Sequence, residues 1–85
     1  MPEQQKDYSK DPRFPIYRLK VENHWREHRP RHRRALKADG KWEARVTGLV
    51  TSALEHMDIL RAAGEHEDVI REIVLRQYIY LPEEP

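Results

Sequence analysis

A chain of 85 residues with 16 Lys and Arg, 15 Asp and Glu and a formal net charge of +1 has room for one small domain. Such a chain buries only about 60–65% of the surface that it exposes when unfolded, so its core must be thin. Without cysteine it can form neither a disulfide framework nor a thiolate metal site. The sequence contains no apolar run of membrane-spanning length and no signal-peptide pattern. We therefore expect a soluble cytoplasmic protein without a membrane partner.

Charge is distributed unevenly along the chain. Residues 13–45 contain eleven Lys and Arg against four Asp and Glu, a net charge of +7. Residues 46–85 contain three against eight, a net charge of −5, and residues 1–12 contribute −1. Opposed halves of this kind indicate either charge matching inside the molecule or a basic face offered to a polyanion.

The first helix is predicted to begin at Pro15, because proline suits the first position of a helix, and to run to about residue 29. Residues 1–14 before it are polar, lack periodicity and are predicted to form a flexible tail. The residues expected on one face of this helix are Ile16, Tyr17, Lys20, Val21, His24, Trp25 and His28.

Pro30 interrupts the first helix and is predicted to open a second one, roughly over 30–38. Gly40 then provides a residue suited to a left-handed helix cap. These features predict a helix junction inside the most basic part of the chain.

The clearest helical pattern covers residues 42–63 and ends at Gly64. Its apolar positions are Trp42, Val46, Leu49, Val50, Ala53, Leu54, Met57 and Leu60. Gly48 inside this helix costs about 1 kcal/mol relative to alanine. It marks either a close helix–helix contact or a tolerated weak position.

A fourth helix is predicted over about 66–80, with Glu67 and Asp68 favourably placed in its first turn. The residues expected to be buried are Val69, Ile70, Ile73, Val74, either Gln77 or Tyr78, and Leu81. We therefore predict an all-α bundle of three to four helices over residues 15–81. Helices 42–63 and 66–80 form a central hairpin with helix 15–29 across it, and residues 82–85 form a second flexible tail.

Residues 24–28, His-Trp-Arg-Glu-His, match H-x-x-E-H, the zinc-binding pattern of the inverted zincins. Two histidines four positions apart can both reach one Zn²⁺, with the glutamate as general base. Neighbouring arginines repel a divalent cation, and so short a chain has little room for a third ligand and a substrate groove. We predict no functional metal, no cofactor, no catalytic residue and no enzyme. A zinc hydrolase, or adventitious metal on His24 and His28, is the alternative.

Eight cationic side chains surround the predicted second helix. They are Arg26, Arg29, Arg31, Arg33, Arg34, Lys37, Lys41 and Arg45. Guanidinium groups bind phosphate through paired hydrogen bonds, and each neutralised phosphate releases counterions, so this cluster predicts contact with DNA or RNA. Alternatively, the cluster is solvated, pairs with the acidic stretch 55–72, or binds an acidic protein surface.

Two blocks of the sequence resemble a known family. Glu27–Pro30, then Leu36 and Gly40–Trp42, resemble the E-H-R-P…L…G-K-L segment of the transposon-encoded TnpV-like family, and Glu72–Tyr80 is similar to its E-I-V-x-x-E-L-I-Y ending. The resemblance covers about residues 24–80. It implies a small protein associated with mobile elements, raises the expectation of contact with nucleic acid or a recombinase, and implies no catalytic activity.

From the sequence we predict a non-enzymatic binding or adaptor protein that contacts nucleic acid through the arginine cluster. The alternative is a self-associating protein–protein interaction module that binds an acidic protein partner. A homodimer is expected in that case, because a chain with a thin core and an apolar end at Tyr78–Leu81 often completes its core with a second copy.

Overall fold

A computed structural model describes residues 7–84 of the chain, which contain four α-helices and no strand. The helices are α1 (Phe14–His28), α2 (Pro30–Ala38), α3 (Trp42–Ala62) and α4 (Glu67–Val74). A short 3-10 turn, Tyr8–Lys10, precedes α1, and a π-helical segment, Leu75–Ile79, continues α4. The all-α class predicted from the sequence is confirmed.

Helix α3 is the element on which the others pack, because it contacts α1, α2, α4 and the π-helical segment. Its apolar stripe is buried as the periodicity predicts. The fully buried side chains of the core are Val21, Val46, Val50, Ala53, Leu54, Ile70, Val74 and Ile79. Trp25 of α1 and Trp42 of α3 pack edge to face beside them, with ring centroids 5.4 Å apart. The core is thus one seam along α3.

Two glycines end helices in the left-handed conformation, which the sequence predicts for Gly40, and Gly64 ends its helix as predicted. Gly40 has a φ of +72° and Gly64 a φ of +91°. The N–H of Lys41 donates to the Leu36 carbonyl at 2.8 Å, and the N–H of Glu65 donates to the Leu60 carbonyl at 3.1 Å. These contacts satisfy carbonyls that a helix end leaves free, and they turn the chain from α2 to α3 and from α3 to α4.

The π-helical segment changes which residues of the last helix face inward. A regular α-helix would bury Gln77 or Tyr78, whereas the wider turn buries Ile79 completely and leaves Gln77 exposed. The predicted burial of Val69 is wrong, since this side chain is 41% exposed. Ile16, which the sequence placed on one face of the first helix with Tyr17 and Val21, is 56% exposed. Periodicity places both near a buried stripe, but no element between residues 7 and 84 covers them.

Residues 7–13 pack against α3, although the sequence predicted a flexible tail there. Tyr8 is 7% exposed, and its hydroxyl donates to Asp58 at 2.9 Å. Burial, and then the hydrogen bond to Asp58, raises the pKa of Tyr8. Arg13 bridges Asp11 at 2.7 Å and Asp58 at 3.2 Å. The part of the predicted tail that precedes residue 7 lies outside the described residues. Between residues 7 and 84, no helix has the length and apolar character needed to cross a membrane.

Replacing Gly48 with Ala should raise the melting temperature. Gly48 is exposed on α3, and a Cβ there meets no neighbouring heavy atom within 4 Å, so the chain makes no close helix–helix contact at this position. Alanine stabilises a helix interior by about 1 kcal/mol relative to glycine. For a domain of this size we expect a rise of roughly 4–8 °C, measured by circular dichroism at low protein concentration.

The matched control is Gly40→Ala. Because Gly40 has a φ of +72°, any side chain there is strained, and we expect the melting temperature to fall. A melting temperature of Gly48→Ala at or below that of the wild type would contradict the open environment of this glycine.

Candidate functional site

The junction between α1 and α2 is built by Arg29 and Pro30. Arg29 leaves helical geometry, with φ −138° and ψ 48°, and its N–H closes α1 on the Trp25 carbonyl at 2.9 Å. Pro30 then begins α2, which has no hydrogen bond from a local capping side chain. The free N–H groups at the start of α2 are therefore available to an acceptor from elsewhere in the chain.

The acceptor comes from the C-terminal segment, which we define as residues 81–84. This segment lies along the junction and is held partly through its backbone. His24 Nε2 lies 2.7 Å from the Leu81 carbonyl oxygen, and the Glu84 N–H donates to the His28 carbonyl at 3.2 Å. The sequence predicted a flexible tail from residue 82 onward, whereas residues 82–84 are docked on α1 and α2.

Arg29 links the C-terminal segment to the core. Its guanidinium donates to the Pro82 carbonyl, and its Cζ lies 4.6 Å from the centroid of the Trp25 ring. Trp25 itself is 3% exposed. Stacking on a buried ring orients the guanidinium towards the peptide carbonyl, because the planar group keeps its donors in one plane.

Glu84 supplies the missing cap of α2. Its carboxylate accepts from the backbone N–H groups of Arg31 and His32, both at 3.0 Å, and from Arg31 Nε at 3.2 Å. Its side chain is only 9% exposed. Burial raises the pKa of Glu84, but the N–H groups of His32 and Arg31 and the Arg31 guanidinium outweigh that effect and lower it. A carboxylate at the positive end of a helix is favourable for the same reason.

The three histidines that lie four positions apart all contact this segment. His28 Nδ1 lies 2.6 Å from the Glu83 carboxylate, and His32 Nδ1 lies 3.2 Å from Glu84. His24 contacts a backbone carbonyl and stacks near His28, with ring centroids 4.7 Å apart. Within residues 7–84, no three His, Asp or Glu side chains converge in a way that would hold a metal ion.

The eight cationic residues singled out from the sequence divide into two groups. Arg29, Arg31 and Arg33 are engaged within the molecule. Arg33 lies 3.5 Å from Glu22 and stacks at 5.5 Å on the Trp42 ring. Arg31 pairs with Glu84 and Arg33 with Glu22, and neither glutamate belongs to the acidic stretch 55–72. The other five are exposed and form no ion pair with the described residues: Arg26, Arg34, Lys37, Lys41 and Arg45.

Sequence reasoning missed Glu83 and Glu84 as parts of the site. The available signal was an acidic pair, flanked by prolines, at the end of a chain whose residues 13–45 carry a net charge of +7. That pattern predicts that the acidic pair and the basic region attract each other. It does not identify which residues make contact, because the contacting groups are more than 50 residues apart in the sequence.

No protein-family model, curated protein or solved structure matches this chain. The resemblance of Glu27–Pro30 and Glu72–Tyr80 to the TnpV-like family therefore stays a prediction.

Replacing Glu84 with Gln should remove a pH-dependent contribution to stability. Because the pKa of Glu84 is lower in the folded chain than its usual value of about 4.3, the carboxylate stabilises the fold fully above that pH. The contribution is lost as the pH falls through the folded pKa. We expect Glu84→Gln to melt below the wild type at about pH 7 and the two curves to converge as the pH falls below the folded pKa of Glu84.

The matched control is Glu83→Gln, since the Glu83 side chain is 71% exposed and meets His28 without capping a helix. Its melting temperature should change less than that of Glu84→Gln. Equal melting temperatures of the wild type and Glu84→Gln at neutral pH would contradict the role of Glu84 as the cap of α2.

Proposed function

We propose that this chain is a non-enzymatic binding protein whose α1–α2 junction takes an extended acidic segment of a partner protein. The observation that carries the proposal is the C-terminal segment, residues 81–84, which occupies the junction. It is an acidic peptide bound to this surface, and its contacts indicate what the surface recognises. The cytoplasmic location predicted from the sequence stays a prediction.

The contacts favour a polypeptide over a nucleic acid. His24 and Arg29 each meet a peptide carbonyl, and the His28 carbonyl accepts a peptide N–H. A phosphodiester backbone has no N–H group to donate to that carbonyl. The carboxylate at the start of α2 adds charge recognition, through two backbone N–H groups and the Arg31 guanidinium. The surface thus recognises backbone and acidic side chain together.

The C-terminal segment acts as an intramolecular competitor in this proposal. Its contacts include exposed charge pairs, each worth only about 0–1 kcal/mol, so a partner segment with more contacts can displace it. A short tether gives the segment an effective concentration of the order of 1 mM at the junction. To occupy the site, a partner must therefore bind more tightly than the segment itself or be present at a higher concentration.

A chain that ends at Tyr80 should bind, in solution, a labelled peptide with the sequence Tyr-Leu-Pro-Glu-Glu-Pro. If the peptide binds the vacant junction with a dissociation constant of about 0.1 mM, its binding to the full chain should be about tenfold weaker. The reason is that the tethered segment 81–84 competes at an effective concentration of about 1 mM. Fluorescence anisotropy measures both affinities. The full-length double variant Glu83→Gln with Glu84→Gln should bind the peptide more tightly than the full wild-type chain and more weakly than the shortened chain, because its tethered segment still competes but has lost its charge contacts.

The control peptide carries Gln in place of both glutamates and should bind at least several-fold more weakly. In the shortened chain, Arg31→Ala should weaken the binding of the acidic peptide and leave the binding of the Gln peptide nearly unchanged. Equal binding of the two peptides would remove the charge recognition from the proposal, and no binding of either would overturn it.

A second candidate function is contact with nucleic acid, as the sequence predicted. The specific observation that favours it is the group of five exposed cations without an ion pair in the described residues: Arg26, Arg34, Lys37, Lys41 and Arg45. The expected association with mobile elements belongs to this candidate. Arg29, Arg31 and Arg33 are weaker candidates for phosphate contact, because each already has a partner inside the molecule.

Replacing Arg34 and Lys37 with Ala tests this candidate without disturbing the C-terminal segment. If both bind phosphate, the slope of log affinity against log salt should become shallower by about 2 between roughly 50 and 200 mM salt. Anisotropy with labelled duplex DNA and single-stranded RNA measures the slope. If the wild type binds neither nucleic acid at the lower salt but the shortened chain binds the acidic peptide, the result would support a protein partner over nucleic acid.

A further inference from the structure

A groove lies between α2, α3 and the π-helical segment, away from the C-terminal segment. Its volume is about 570 Å³, and its apolar lining comes from Leu36, Leu49 and Tyr78. Each of these three side chains is half-buried, packed against the core on one side and open to the groove on the other. We call it the α2–α3 groove.

Small residues of α3 also line this groove. Ala44, Gly48 and Ser52 line it at successive four-residue steps, and all three are exposed. Three such positions span about 12 Å of helix, a little over two turns. A Cβ at Gly48 would meet no neighbouring atom within 4 Å, so this surface accepts another helix at close distance. In the described chain no helix covers it.

Two cations, Lys41 and Arg45, lie at the same groove. Both are exposed and have no ion pair among the described residues. An occupant that fits the groove must therefore combine apolar side chains with carboxylates. An apolar helix alone would leave the two charges without partners, and a simple anion would leave Leu36 and Leu49 in water.

The outer face of α4 has these properties. Val69 is 41% exposed, and Ile73, one turn further on, is half-buried. Asp68 and Glu72 form the neighbouring row, also one turn apart, and both are exposed. Residues four apart lie on one side of a helix, so the apolar row and the acidic row run side by side. Among the described residues, Glu72 pairs with Arg76 at 3.1 Å, and this exposed ion pair contributes little to stability.

We propose that the α2–α3 groove receives α4 of a second copy of this chain. Val69 and Ile73 of one copy lie against Leu36 and Leu49 of the other, and Asp68 and Glu72 face Lys41 and Arg45. Every copy has both surfaces, and in the proposed dimer two copies related by a two-fold axis use each surface once.

The apolar end Tyr78–Leu81, which the sequence indicated as a surface for self-association, is not part of this interface apart from Tyr78. Ile79 is fully buried within its own chain, and Leu81 packs against the same core. The proposed dimer does not involve the residues that hold the C-terminal segment. It is therefore independent of the acidic-segment proposal, and either can fail alone.

A charge exchange between the two surfaces tests the proposal with the full chain. One variant carries Lys41→Glu with Arg45→Glu, and the other carries Asp68→Lys with Glu72→Lys. Each variant alone places like charges across both copies of the interface, and we expect its dimerisation constant to weaken at least about 100-fold. An equimolar mixture should recover the dimer, because each surface again meets its opposite. Analytical ultracentrifugation over a range of concentrations measures all four samples.

Two controls separate association from folding. The double variant Lys20→Glu with Arg26→Glu changes the net charge by the same amount as Lys41→Glu with Arg45→Glu, but on α1 and outside the groove. This variant should dimerise like the wild type. Gly48→Leu fills the groove with a good helix former, so it should stay folded at a melting temperature no lower than that of the dilute wild type, yet fail to dimerise. A wild type that is monomeric at every concentration, or a mixture that fails to recover, would overturn the proposal.

Discussion

Everything in this small molecule depends on the apolar stripe of α3. The other helices have 8 to 15 residues, and helices of this length are marginal in water unless an apolar face is buried against something. Helix α3, with 21 residues, offers that surface to each of them. Val46, Val50 and Leu54 are fully buried at steps of four residues, so the stripe is continuous. A thin core of one seam stabilises the whole fold.

The break at Pro30 creates the candidate site because it separates two helices that would otherwise be one. A continuous helix would leave no free N–H groups in the middle of the basic stretch. The break exposes the start of α2 beside five cationic or imidazole side chains of the junction, and that combination attracts a carboxylate. They are His24, His28, Arg29, Arg31 and His32. Glu84 fills this position in the described chain. The same geometry that stabilises α2 therefore provides the recognition surface of the proposed function.

The proposed site and the proposed dimer surface use different parts of the basic region. The junction of α1 and α2 holds an extended segment through backbone and carboxylate contacts. The α2–α3 groove has apolar walls and two cations that form no ion pair with residues 7–84. The uneven distribution of charge along the sequence contributes to both the junction and the proposed dimer surface. Within one chain it draws the C-terminal segment onto the junction, and between two chains it matches the acidic side of α4 to the groove.

The sequence by itself determined the class of fold, the helix break at Pro30 and the ends at Gly40 and Gly64, because periodicity, proline and glycine act over a few neighbouring residues. It also predicted the bounds of α2 and the buried stripe of α3. Tertiary structure alone decided the burial of Tyr8, the exposure of Val69 and the inward position of Ile79. It also decided that Glu84 caps α2. Each of these depends on which element lies opposite in space, and local spacing carries no information about a partner some 50 residues away.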